Sequence, residues 1–164
     1  FTVQHTLAIL LTMTTYGTWL RGDRRGWVDK GLLLPHNPDL EAADRRRMKC
    51  PMFLFHTEQL EEIGGMIGTS LQERLHMRIL ALTVQTWHVH TVVMATEYPV
   101  EKIVKCAKDA VSWELRPGRI IWSDGYDKRF CFDETSVHAR IEYVERHNMR
   151  IGLAAKPWSF IESL

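Results

Sequence analysis

Hydrophobic positions along this chain fall into blocks, and the spacing within each block names an element. Residues 3–16, VQHTLAILLTMTTY, are apolar and threonine-rich and predict a long first strand. From Thr57, read as an N-cap before Glu58-Gln59-Leu60-Glu61, apolar residues recur at helical spacing to about Arg74. Gly64-Gly65 weakens that helix without breaking it. The run Ile79 to Ala95, ILALTVQTWHVHTVVMA, is seventeen residues without a formal charge, a Gly or a Pro. It predicts two buried strands, 77–86 and 88–96, joined tightly near Trp87. Pro99 opens a second helix, VEKIVKCAKDAVSWEL, with Val100, Val104, Ala107 and Val111 as its apolar face, and Arg116-Pro117-Gly118 ends it. RIIWS (119–123) predicts a short fourth strand, SDGYDKR a turn, and DETSVHARIEYVERHNM (133–149) a third helix with Gly152 as its stop.

The order is strand, helix, strand, strand, helix, strand, then an added helix. That is an α+β, ferredoxin-like split βαβ arrangement, an antiparallel sheet backed by two helices, with an extra C-terminal helix. At 164 residues one domain spans the chain, 1–164. Its irregular segment is about 21–56, where Pro35, Pro38 and Pro51 flank a helix-like LEAADRRRMK. There are no internal repeats. No apolar stretch reaches the ~20 residues of a membrane span without polar Thr, Gln and His, so no membrane partner is expected. The chain opens on Phe1 rather than Met, which reads as a trimmed sequence. Three widely spaced cysteines point to reduced thiols in a cytosolic protein.

Net charge is only +1, yet the cations cluster: Arg21, Arg24 and Arg25; Arg45, Arg46, Arg47 and Lys49; Lys102, Lys105 and Lys108. Local clusters of this kind supply phosphate contacts, though a charge run is also the ordinary solvated face. In GTWLRGDRRGWVDKG, two tryptophans, Trp19 and Trp27, accompany the first arginine cluster and offer stacking surfaces for unpaired bases. Lys128 and Arg129, just before the last helix, and Lys105 on the second are further DNA-contact candidates.

His88 and His90 are two apart on an expected strand and point from one face, a half-site for a divalent metal as well as a pattern that ordinary strand histidines produce. Tyr143 and His147 are four apart on the last helix and share a face. A metal on His88, His90 and His147 would polarise a phosphate for attack by Tyr143, whose unperturbed phenol, pKa ~10, is a poor nucleophile alone. Tyr126, in a turn, is the rival nucleophile. Tyr143 serves equally well as a core aromatic and His147 as a helix C-terminal cation.

The run WHVHTVV resembles the HUH motif (His, hydrophobic, His) of the single-tyrosine HUH transposases. RIEYVERHNMRIGLAAKPWSF resembles the tyrosine helix of their REP-associated branch, whose pattern is Tyr-Ile/Val-x-x-Asn-Pro-x-x-x-Gly-Leu. Tyr143, Val144, Gly152 and Leu153 match it, and TYGTWLRGDRRGWVD is similar to the opening of a subgroup. The resemblance implies a HUH motif on a central strand, His88 and His90 as metal ligands, Tyr143 as nucleophile and His147 as the polar group four residues on. It implies metal-assisted nicking and rejoining of single-stranded DNA through a 5′-phosphotyrosine, with Mg²⁺ or Mn²⁺ as the ion and Zn²⁺ as a competitor. The implied partner is single-stranded or hairpin DNA in a prokaryotic cytoplasm, with monomer or homodimer, and tyrosine in cis or trans, left open. The chain departs from the pattern where His147-Asn148 replaces Asn-Pro. Two other readings stand beside this one: a ferredoxin-like nucleic-acid-binding module without chemistry, and a metal-dependent phosphodiesterase that uses water instead of Tyr143.

Overall fold

In the computed structural model, which describes residues 4–164, the first apolar block forms strand β1, Ala8–Thr14. The expected strand began at Val3, which lies outside the described residues. The Gly- and Arg-rich loop that follows carries a two-stranded hairpin, β2 (Trp27–Asp29) and β3 (Leu32–Leu34), and then helix α1, Pro38–Arg47. Asn37 caps α1 by accepting from the Leu40 amide, with Pro38 at the first turn where no donor is missed. Thr57 opens a short 3₁₀ turn, Thr57–Gln59, that leads into α2, Leu60–Leu75. Strands β4 (Ile79–Val84) and β5 (His88–Met94) form the expected hairpin, followed by α3, Val100–Leu115. The chain ends with β6, Asp127–Cys131, and α4, Glu134–Arg150.

The fourth strand is therefore not RIIWS but DKRFC, whose first three residues were expected to end a turn. Ile121 and Trp122 are both buried in the core, and the segment touches the sheet only through a Thr15–Trp122 bridge. Its backbone meets the end of β1 only in that bridge, Tyr16 N–H donating to the Ile121 carbonyl and Ser123 N–H to the Thr14 carbonyl, too short a pairing for a strand. The edge position goes to a charged strand, whose outward side chains stay in water.

The sheet order is β4-β5-β1-β6, every neighbour antiparallel, which is the ferredoxin-like order. Side-chain alternation divides β1 and β5 between two cores. Ile9, Leu11, Met13, Val89 and Val93 face α2 and α3. Ala8, Leu10, Leu80 and Val92 face Val137, Ile141 and Val144 of α4. Each fully buried aliphatic contributes about 1.5–3 kcal/mol, so α4 is held on its own sheet by a real apolar seam. After Gly152, which adopts φ +82° as an expected helix stop, the tail returns along β4 and pairs Ile161 with Ile79. Among the described residues, no helix is long and apolar enough to cross a membrane.

Candidate active site

The alternation that sends Val89 into the α2/α3 core sends His88 and His90 to the opposite face, beneath α4. Both are buried, each with a relative exposure of 7%. On α4 the buried row Val137, Ile141, Val144 and Asn148 faces the sheet, and Tyr143 and His147 lie on the flank of that row. The four side chains converge. Ring centroids are 4.6 Å apart for His88 and His90, 5.0 Å for His90 and His147, 5.3 Å for His90 and Tyr143, and 4.8 Å for Tyr143 and His147.

One nitrogen of each of His88, His90 and His147 lies within 4.8 Å of the others. Burial, the neighbouring His147 and the Arg25 guanidinium push the His88 pKa down to about 4. Burial, with His88 and His147 close by, pushes His90 down to about 3. Both imidazoles are thus neutral near pH 7, with lone pairs available to a metal. The orientation of the rings is also fixed. Thr12 Oγ1 on β1 lies 2.8 Å from His90 Nδ1, and His147 Nδ1 donates to the Tyr143 carbonyl at 2.8 Å. Each contact engages one ring nitrogen and leaves the other free, the arrangement that outer-shell partners give metal-binding histidines. His88 Nδ1 is buried with no hydrogen-bond partner. A buried orphan of this kind calls for a partner, and a cation would supply it. The donor set therefore fits a divalent ion; three imidazoles suit Mn²⁺ better than Mg²⁺, which prefers oxygen, and they invite Zn²⁺.

Tyr143 is 41% exposed, so its hydroxyl is within reach of a strand in solvent. Tyr126 is elsewhere: it packs on the α2/α3 core and donates to Glu101 Oε1 at 2.7 Å. Partial burial and that bond push its phenol up to about 12, further from a nucleophile.

The expected DNA-contact residues divide. Arg21 makes a two-pronged pair with Asp44 at 2.9 and 2.6 Å. Arg25 grips the buried Asp23 at 2.8 and 2.7 Å and lies 4.0 Å from the Trp19 ring centroid. Trp19 packs on Trp87 at 5.6 Å, and Trp87 on His88 at 4.0 Å, so this end of the loop touches the histidine cluster. Arg24 is exposed and has no ion-pair partner among the described residues. Trp27 lies in the hairpin, its indole donating to the Pro35 carbonyl. On β6, Arg129 pairs across from Leu10 and shares the α4 face, whereas Lys128 pairs across from Leu11 and points to the other face. Lys105 is on α3, also on the far side, and is bound to Asp109. Neither lysine joins the cluster around Tyr143.

Three residues at the site had no signal in the sequence beyond their polarity. Thr12 is one. Gln85 donates to Thr83 Oγ1 at 2.9 Å and to the His147 carbonyl at 3.5 Å. Asn148, fully buried, donates to the carbonyls of Leu82 and Ala155 at 2.8 and 3.1 Å, pinning the end of the tyrosine helix to β4. It stands where the resembling branch has proline, so here a hydrogen-bonded clamp occupies the position after His147.

No protein-family model matches the chain, and no curated protein matches it. Among solved structures, it is similar to a REP-associated tyrosine transposase bound to a REP hairpin, with TM-score 0.52 and 10% identity over 93% of this chain and 73% of that one. A candidate transposase from Deinococcus radiodurans aligns with TM-score 0.44 and 16% identity over 87% of this chain and 92% of the other. At the first of these levels of similarity the likeness concerns architecture. The chain has the fold of a REP-associated tyrosine transposase.

Proposed function

We propose that this protein nicks and rejoins single-stranded DNA by tyrosine transesterification, acting in the cytoplasm on DNA that carries hairpins. The observation that carries the reading is the single cluster of His88, His90, His147 and Tyr143, assembled from a central strand and the helix laid across it. The solved transposase of the same fold is bound to a REP hairpin, which supports a hairpin partner here.

His88, His90 and His147 would hold the divalent ion, which when bound neutralises charge developing on the phosphate oxygens. The phenol oxygen of Tyr143 forms a bond to phosphorus and releases its proton to a solvent base. The bond from phosphorus to the 3′-oxygen breaks, and that oxygen leaves as a 3′-hydroxyl after taking up a proton. The strand downstream of the break remains on the protein, its 5′-oxygen still bonded to the phosphorus of the phosphotyrosine ester. A 3′-hydroxyl from another end then bonds to the same phosphorus and returns the proton-bearing phenol, so one ester is exchanged for another without ATP.

The test is a denaturing gel of labelled hairpin-bearing single strands incubated with protein and Mn²⁺. Label should shift onto wild-type protein and stay free with Tyr143→Phe and His88→Ala. Cleavage that survives Tyr143→Phe without an adduct would assign hydrolysis by water instead. Tight binding without cleavage would leave a binding module.

A further inference from the structure

Beside the histidine cluster lies a cavity of about 510 Å³, walled by the Gly17–Arg25 loop, by α1 and by residues 52–54, with Trp87 between it and the site. Its size is within the ~300–1,000 Å³ range of small-ligand pockets. The lining is mixed in a particular way. Trp87, Met52 and Leu54 offer apolar surface, and the last two are about half exposed (49% and 50%), as core residues are not. Arg24 and Arg45 add two exposed guanidiniums with no ion-pair partner among the described residues. Glu41, one turn before Arg45 on α1, adds a carboxylate with no side-chain hydrogen bond or ion pair among the described residues, its charge acting on Arg25 from a distance. The other two charged residues of the lining, Asp23 and Arg25, satisfy each other and brace the wall.

We propose that this cavity holds one unpaired nucleotide of the bound DNA strand, its base against Trp87 and Met52, its flanking phosphates on Arg24 and Arg45, and its exocyclic amino group donating to Glu41. The inference rests on the single-strand reading above and deepens it by naming a base-holding subsite. Each wall matches a part of a nucleotide. Aromatic and thioether surface accepts a base face, which every base has. Guanidinium forks suit phosphate oxygens. A free carboxylate accepts from an amino edge, which cytosine, adenine and guanine present and thymine lacks. Position supports a strand rather than a free nucleotide. The Trp87 ring lies 4.0 Å from that of His88, so a nucleotide in the cavity is separated from the histidine cluster by one ring.

The test needs no cleavage. Fluorescence anisotropy without divalent ion would compare short oligodeoxycytidine with oligothymidine, both weakly stacked pyrimidines. Wild type should bind oligodeoxycytidine about tenfold more tightly, and Glu41→Ala should erase that preference. The double change Arg24→Ala, Arg45→Ala should weaken both strands and lower the logarithmic salt slope by about 1.4, the value for two lost phosphate contacts. Both arginines are exposed, so the double variant keeps the core intact. Photocrosslinking with 5-bromodeoxycytidine should mark Trp87 or Met52. Unchanged affinity and slope in the variants, or crosslinks confined to other segments, would overturn the pocket while the Tyr143 adduct assay still judged the nuclease reading. Binding of deoxycytidine monophosphate alone with the same Glu41 dependence would overturn the strand assignment. Failure of wild type to bind either strand would overturn the pocket, and the nuclease reading would still be decided by the Tyr143 adduct assay.

Discussion

His88 and His90 are strong ligand candidates because burial has made them poor bases toward protons, while Thr12 fixes where the His90 lone pair points and His88 Nδ1 is left without a partner. The same burial has a cost. In the unfolded chain both imidazoles take up protons below about pH 6.5, whereas in the folded protein they resist until about pH 4 for His88 and about pH 3 for His90. Between those limits the unfolded state binds more protons, so the stability these residues contribute is full above pH 6.5 and is lost as pH falls through that window. The slope is up to about 1.4 kcal/mol per pH unit for each imidazole. Chemical denaturation of metal-free protein from pH 7 to pH 4 should show this decline, and His90→Phe should flatten it. A pH-independent midpoint over that range would mean the histidines are hydrated in the folded state. Arg21 and Arg25 teach a different residue-scale lesson: the sequence showed an arginine cluster, but each holds a local aspartate, Asp44 or Asp23, and only Arg24 of the three is free of an ion pair among the described residues.

At the scale of elements, α2 shows why a helix tolerates glycine. A Cβ on Gly64 would come 2.0 Å from the Trp158 ring, and one on Gly68 would come 2.0 Å from the Phe160 ring, whereas Gly65 meets nothing. The two glycines one turn apart form the groove into which the tail packs. Gly64→Ala should destabilise by about 1–3 kcal/mol through overpacking, and Gly65→Ala should stabilise by about 0.5–1 kcal/mol through helix propensity. Thermal unfolding of both variants checks the contrast; equal effects would show that the tail does not pack on α2 in solution. The sequence displayed the Gly64-Gly65 pair but not its purpose, because the partners are nearly a hundred positions away. The β4–β5 hairpin, α3 and α4 were legible, since their apolar periods match their own burial. Strand β6 was hidden for the opposite reason. Asp127, Lys128 and Arg129 sit on an exposed edge and carry no hydrophobic signature, while Ile121 and Trp122, which do, plug the core without joining the sheet. The site was legible as His88, His90, Tyr143 and His147, and illegible as Thr12, Gln85 and Asn148, whose roles are set by hydrogen bonds across strands.

At the scale of the whole molecule, the cis or trans question turns on where α4 lies. Here it packs on its own sheet through Val137, Ile141 and Val144, and Asn148 clamps its end to Leu82, so Tyr143 stands beside the histidines of its own chain. Mixing His88→Ala protein with Tyr143→Phe protein should therefore give no covalent adduct, because neither chain carries a complete site. Restored adduct in the mixture would show that the helix exchanges between two copies.

The central claim is that Tyr143 itself bonds to DNA, and mass spectrometry after exhaustive nuclease and trypsin digestion tests it most directly. Cleavage after Arg140 and Arg146 isolates Ile141–Arg146, which contains Tyr143 as its one tyrosine. The expected result is that peptide carrying a nucleotide phosphodiester on Tyr143, formed only with a divalent ion. The same mass on the Tyr126 peptide, or cleaved DNA with every tyrosine unmodified, would contradict the account.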